Sequence, residues 1–149
     1  MNFHYHPHLT MSPETGSPNI ILRPDIPVTI CGPGGHDEFV GLLDTGADNT
    51  VLPTSIADRL GIALERCTGP EGSAFGGGVL QFFFGDVVFR LHDDDEQIEW
   101  AARVLFHHFV EVGDEAIVLG HAGFLDFFRS VFDPEEGLIE LVPNGLFPS

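Results

Sequence analysis

Short apolar runs, separated by Gly, Pro and Asp, make up most of the chain after Asn19. Runs of this length between turn-forming residues are typical of β-strands. Many short strands with regular turn signals predict an all-β barrel or sandwich. The predicted strands are residues 20–22, 28–30, 39–43, 51–52, 79–84, 87–91, 98–106, 117–119, 130–132 and 138–142.

Two segments carry helical signals instead. Pro53, Thr54 and Ser55 precede a stretch with apolar residues at helical spacing that ends at Gly61, which is typical of a short capped helix. Residues 121–129 also place apolar side chains at helical spacing, and this predicts a second short helix packed on the core.

The first 18 residues are polar and lack strand-like runs, so we expect residues 1–18 to be a flexible tail and residues 19–149 to form one domain. His4, His6 and His8 alternate in this tail. Alternate histidines on an extended chain can hold a metal, and a metal-binding function is therefore one alternative. The tail has no signal-peptide pattern, and no apolar run has the length of a membrane span, so the predicted location is cytoplasmic.

The charge balance narrows the range of partners. The 149 residues include 23 Asp and Glu against 6 Lys and Arg, which gives a formal net charge of −17. Such a surface repels nucleic acid and anionic membranes, so neither is an expected partner. Cys31 and Cys67 lack the spacing of a metal or redox motif and fit a reducing compartment, although the sequence leaves a single disulfide open.

The most informative segment is LLDTGADNTVLP, residues 42–53. An apolar strand runs into Asp44, and Thr45 and Gly46 then form a turn with little side-chain bulk. This places a carboxylate at the end of a rigid strand, where another backbone can approach it closely. One carboxylate on a turn does not by itself specify catalysis.

This segment resembles the catalytic loop of the retropepsins, the retroviral aspartic peptidases. Further segments resemble parts of that family in the same order along the chain, so the resemblance covers roughly residues 19–142. They are Arg23-Pro24 and Val28-Thr29-Ile30 upstream, and the flap-like Phe75-Gly76-Gly77-Gly78 and the apolar Ile117-Val118-Leu119-Gly120 downstream.

The resemblance implies a retropepsin-like acid-protease barrel with one or two short helices, active as a homodimer. Each subunit would supply one Asp44, and two carboxylates so near to each other share one proton. The ionised carboxylate would activate a water, and the protonated one would donate to the scissile carbonyl. The resemblance implies no metal or cofactor.

The resemblance also assigns roles to individual residues. The catalytic residues would be Asp44, Thr45 and Gly46, and Arg23 would be a candidate partner for Asp48. Residues expected to contact an extended peptide are Ala47, Asp48, Phe75, Gly76, Gly77, Gly78 and Leu119, with Val51 and Val79 as further candidate pocket walls. The sequence departs from the family at His121-Ala122, because retroviral enzymes usually have Arg-Asn or Arg-Asp after the equivalent of Gly120.

The predicted function is therefore an aspartic endopeptidase that cleaves extended, largely apolar peptide segments. The alternative from another class is a peptide-binding or dimerisation module that keeps the fold and has lost turnover. In retropepsins the chain termini often interleave in a dimer sheet, and residues 138–142 are the candidate strand for that sheet here.

Overall fold

The computed structural model describes residues 1–67, 81–110 and 115–148, and these form twelve strands, one α-helix and one 3-10 turn. The predicted all-β class is confirmed. The helix is α1 (Thr54–Leu60), and the 3-10 turn is Leu125–Phe127. The strands are β1 (Asn2–His4), β2 (His6–Met11), β3 (Pro18–Arg23), β4 (Asp25–Gly32), β5 (Gly35–Leu43), β6 (Val51–Pro53), β7 (Glu65–Arg66), β8 (Phe82–His92), β9 (Gln97–His107), β10 (Val118–Leu119), β11 (Phe128–Asp133) and β12 (Leu138–Pro143).

Six of the strands close into a barrel. The order in the main sheet is β4-β5-β10-β6-β9-β8, and β4 also pairs with β8, while β7 extends the sheet beyond β8. Alternate side chains of these strands point inward, so that Ile26, Val28 and Ile30 of β4 are all buried. The parallel pair β5–β10 supports residues 44–50, the segment between β5 and β6 that is called the D-T-G loop below.

An aromatic cluster fills one end of the core. Phe124 makes an edge-on contact with Trp100, with ring centroids 5.1 Å apart, and a second one with Phe89 at 5.5 Å. The Trp100 indole Nε1–H donates to the Gly123 carbonyl over 3.0 Å, which satisfies the polar edge of a buried ring. These contacts fix the chain after residue 120 against β9.

The strand predictions hold with one instructive difference. Residues 79–84 and 87–91 were expected to be separate strands, but the described part of this region is one long strand, β8. Gly85 suggested a break, whereas it is buried in mid-strand, and a Cβ there would lie 2.6 Å from the Phe106 ring. The glycine serves close packing of β8 on its neighbours.

Only the first of the two predicted helices forms as expected. Helix α1 ends at Gly61, which has a left-handed φ of 66° and donates its N–H to the Ala57 carbonyl. The helix predicted over 121–129 is wrong, because the chain forms turns and a single 3-10 turn before β11 begins at Phe128. Gly123 adopts a φ of 90°, which a right-handed helix does not tolerate. None of the helices in the described residues is long and apolar enough to cross a membrane.

The interpretation of residues 1–18 as a flexible tail also differs from the structure. Strand β1 pairs with β12, and β2 pairs with β3 in a hairpin whose turn contains Gly16 at a φ of 65°. The histidines drew attention to polarity, whereas the alternation of polar and apolar residues in HPHLTM was the relevant signal.

Strand β12 lies in the middle of a three-stranded sheet with the order β1-β12-β11. Asn2 pairs with Glu140 on one side, and Ser130 pairs with Leu141 on the other. A strand has only two hydrogen-bonding edges, and both edges of β12 are occupied within one chain. Interleaving of residues 138–142 with a partner is therefore incompatible with this sheet.

Candidate active site

Asp44 directly follows the last residue of β5 and is half-buried. Its backbone N–H donates to the Leu119 carbonyl of β10 over 3.1 Å, and the preceding Leu43 N–H donates to the Pro24 carbonyl over 3.0 Å. The strand end is thus held on both sides, by β10 and by the residue before β4. This fixes the direction in which the Asp44 side chain leaves the sheet.

The turn after Asp44 holds one of its carboxylate oxygens. The Gly46 N–H donates to Asp44 Oδ1 over 2.9 Å, and the Ala47 N–H donates to the Asp44 carbonyl over 3.2 Å. A Cβ at position 46 would lie 3.2 Å from Asp44 Oδ1, so glycine lets the turn close tightly on the carboxylate. Oδ2 has no hydrogen-bond partner among the described residues, which leaves this oxygen open to a water or a second carboxylic acid.

A second segment, residues 120–122, holds this loop through hydrogen bonds and close packing. The N–H groups of His121 and Ala122 donate over 2.9 Å to the carbonyls of Ala47 and Asp48, and the N–H of the fully buried Thr50 donates back to the Ala122 carbonyl over 3.1 Å. The Gly120 residue is packed so closely that a Cβ would lie 2.3 Å from the Asn49 carbonyl oxygen and 2.7 Å from that of Ala47. The loop geometry therefore depends on glycine at position 120.

The His121 side chain makes a further contact with the loop, and sequence reasoning missed this contact. Its Nε2 lies 2.9 Å from the Thr45 carbonyl oxygen, and its Nδ1 lies 3.2 Å from Asp126 Oδ1. Both neighbours are acceptors, so both ring nitrogens donate only when the imidazole is protonated. The pKa of His121 is raised, chiefly by the hydrogen bond to Thr45, then by the bond to Asp126, with smaller effects of the Asp126 and Asp48 charges. The sequence signal for this contact was that His121 occupies a position where retroviral enzymes usually have Arg.

We expect His121→Gln to flatten part of the pH dependence of stability. Because folding raises the pKa of His121, its protonated form stabilises the fold fully below its ordinary pKa of about 6.5, and this contribution is lost as the pH rises through the folded-state pKa. The melting temperature of the variant should fall further below that of wild type at about pH 5.5 than at about pH 8.5. His36→Gln, at an exposed position on β5, is the matched control. An equal difference at both pH values would contradict this role.

The structure separates the other predicted site residues by exposure. Thr45, Gly46 and Asp48 are exposed on the loop surface, whereas Leu119 is fully buried. A Cβ at Gly41 would lie 2.7 Å from Leu119 Cδ1, so the Leu119 side chain packs against β5 in the core. The contact of Leu119 with a peptide stays a prediction.

Two further predictions concern Arg23 and the flap. Arg23 is exposed at the end of β3 and forms no ion pair with Asp48 within the described chain. Phe75, Gly76, Gly77 and Gly78, the predicted flap, lie outside the described residues, as does Val79. Within the ranges the structure describes, no three His, Cys, Asp or Glu side chains are grouped so that they could hold a metal ion.

A groove of about 600 Å³ is lined in part by residues of β5. Its apolar wall includes Phe39, Val40, Leu42 and Ile117, and its polar end includes the buried Asp25, which contacts His8. Asp44 does not line this groove, although Leu42 is only two residues away. Sequence reasoning missed the contact between Asp25 and His8, because no motif connects these residues.

Comparisons with known proteins find similarity over part of the chain. Residues 26–82 match the model of the aspartyl protease family. Among solved structures, one similar chain is the EIAV protease in complex with the inhibitor HBY-793, at 26% identity, covering 66% of this chain and 82% of that chain with a TM-score of 0.45. No curated protein matches the chain significantly. The segment of this chain that is similar to the aspartyl protease family therefore includes Asp44, Thr45 and Gly46.

Proposed function

We propose that this protein is an aspartic endopeptidase whose active site forms between two copies of the chain. The observation that carries the proposal is the Asp44 carboxylate: Oδ1 is held by the Gly46 N–H, while Oδ2 has no partner among the described residues. The chain supplies one D-T-G segment, so a second carboxylate of the same kind requires a second copy. The family match to aspartyl proteases supports this chemistry.

The proposed reaction uses the two Asp44 side chains in different protonation states. They would share one proton, because two carboxylates in contact cannot both be ionised. The ionised carboxylate takes a proton from a water as its oxygen attacks the scissile carbonyl carbon, and the protonated carboxyl donates to the carbonyl oxygen. The tetrahedral intermediate then collapses, the C–N bond breaks, and a proton passes to the leaving nitrogen.

The remaining residues would position the loop and the peptide. Thr45 would bond across the two-fold axis, while Gly46, Ala47 and Asp48 would offer polar groups to an extended substrate backbone. Residues 75–78 would close over the peptide and exclude water. The exposure of Gly46 and Asp48 is consistent with these roles.

The test is cleavage of a fluorogenic peptide library between about pH 4 and pH 7.5, with pepstatin as inhibitor. Pepstatin-sensitive cleavage of extended apolar peptides would support the proposal. A protein that is dimeric by sedimentation and cleaves nothing over this range would contradict it and favour a peptide-binding module without turnover.

We further expect association of two copies to depend on salt. Each chain has a formal net charge of −17, so two copies repel each other at neutral pH. Raising the salt from about 0.1 M to 1 M shortens the screening length from about 10 Å to about 3 Å. The dimer dissociation constant at pH 7 should fall by about tenfold or more, as measured by sedimentation equilibrium, and it should also fall at mildly acidic pH. A constant that changes with neither salt nor pH would contradict this expectation.

A further inference from the structure

The β2–β3 hairpin has one face that is entirely apolar. Its antiparallel register places cross-strand partners on the same side, and side chains alternate between the two faces. The pairs on this outer face are Pro7 with Leu22, Leu9 with Ile20, and Met11 with Pro18. Leu9 is 77% exposed, Ile20 66%, Met11 62% and Leu22 51%. Within the described chain, this face is left uncovered.

The opposite face of the hairpin holds it on the barrel. The His6 Nδ1 lies 2.7 Å from the Asp25 carbonyl oxygen, and the His8 Nε2 contacts the buried Asp25 carboxylate. A two-stranded hairpin is marginal in water when it stands alone. These contacts give the hairpin a defined orientation, with the apolar face directed outward, where a partner can cover it.

The charge distribution favours a second copy of the chain as that partner. Residues 1–24 contain one acidic residue, Glu14, and one arginine, Arg23, so the formal net charge of −17 is carried by the rest of the chain. Two copies approaching through their hairpins therefore meet with less repulsion than through any strongly acidic surface. A highly basic partner, by contrast, would be attracted to the rest of the chain.

The hairpin also adjoins the proposed catalytic interface. Strand β3 ends at Arg23, and the next carbonyl, that of Pro24, accepts the hydrogen bond from Leu43, the residue before Asp44. Asp25 then pairs with Leu42 on the catalytic strand. The base of the hairpin and the D-T-G loop thus lie side by side at the end of β5.

We propose that two copies of the chain associate through the outer faces of their β2–β3 hairpins. This inference rests on the proposed function, which requires two Asp44 side chains to meet. A two-fold axis would pack each outer face on the same face of the partner, with Leu9 and Ile20 at the centre of the contact. The two ribbons would stack about 10 Å apart, as packed sheets do. This contact takes the place of an interleaved terminal sheet, since both edges of β12 are occupied.

The first test is sedimentation of the double variant Leu9→Gln, Ile20→Thr beside Leu146→Gln. Leu146 is 69% exposed and lies beyond β12, so it is the matched control for loss of an exposed apolar side chain. We expect the double variant to weaken the dimer by about 30-fold or more, because several apolar contacts are lost at once, and the control to leave it unchanged. An unchanged dimer in the double variant overturns the inference, as does a wild-type chain that is monomeric at every concentration.

A second measurement needs no substitution. Met11 lies on the outer face, whereas Met1 is 6% exposed in the core, so dilute peroxide should oxidise Met11 first in the monomer. Protection of Met11 that grows with protein concentration would support the inference, and a rate independent of concentration in a dimeric protein would overturn it.

These tests are independent of the proposed catalytic function. Association is measured without a substrate, so a dimer that depends on the hairpin and cleaves nothing would contradict only the peptidase activity. A pepstatin-sensitive dimer that is unaffected by the hairpin variants would contradict only this inference.

Discussion

Replacing Asp44 with asparagine is expected to lower kcat by about 10⁴-fold or more. Asparagine keeps the shape and can still accept from the Gly46 N–H at its oxygen, but it can neither take a proton from water nor share one with its counterpart. Asp58→Asn removes the same charge from an exposed position on α1 and is the matched control. Initial rates with a peptide found in the library screen measure the effect.

Mixing the two chains makes the experiment more specific. If each active site uses one carboxylate from each copy, a mixed dimer of wild type and Asp44→Asn has only one of the two. Titration of wild type with the variant should then reduce activity below simple dilution, once subunits have exchanged. Full activity in the variant, or activity proportional to the wild-type chain after exchange, would contradict an active site shared between copies.

Replacing Gly120 with alanine is expected to cost about 3 kcal/mol of unfolding free energy and most of the activity. The new Cβ would lie 2.3 Å from the Asn49 carbonyl oxygen and 2.7 Å from that of Ala47, so backbone atoms of the D-T-G loop must move. A flexible side chain could rotate away from such a contact, but both of these atoms belong to the backbone, and the Ala47 carbonyl accepts a hydrogen bond from the His121 N–H. The loop would shift relative to β10, and with it the Asp44 carboxylate.

Chemical denaturation and peptide cleavage measure the two effects of Gly120→Ala. Gly145→Ala is the control, since a Cβ at that position meets nothing within 4 Å and its backbone is not in the left-handed region. A Gly120→Ala protein with wild-type stability and cleavage would show that the close packing of residues 47–49 on residue 120 is not required.

The elements that sequence reasoning located correctly are those specified by neighbouring residues. Asp44 and its turn, the strand before it and helix α1 with its terminal Gly61 all have signals within a few residues. The hairpin of β2 was also visible as a local alternation, but its histidines and prolines suggested a polar tail. The error arose because the polar composition of this segment was given more weight than its alternation of polar and apolar residues.

Contacts between distant segments could not be predicted in this way. His121 reaches the Thr45 carbonyl across 76 residues, and no periodicity indicates that pairing. Likewise, Gly120 was recognised as part of a motif, but its close approach to Asn49 depends on how β10 lies beside β5. Sequence alone located Asp44 and its turn, whereas the hydrogen bonds that hold this loop depend on tertiary packing.

The pairing of β1 with β12 has a consequence for the order in which the protein folds. The Met1 ammonium donates to the Leu141 carbonyl over 2.9 Å, a contact that spans 140 residues. On the ribosome, β1 has no partner until β12 has been synthesised, whereas the barrel strands β4 to β10 are available to pair earlier. Contacts of such long range form slowly because a large loop must close first. We therefore expect the sheet of β1, β12 and β11 to form after the barrel.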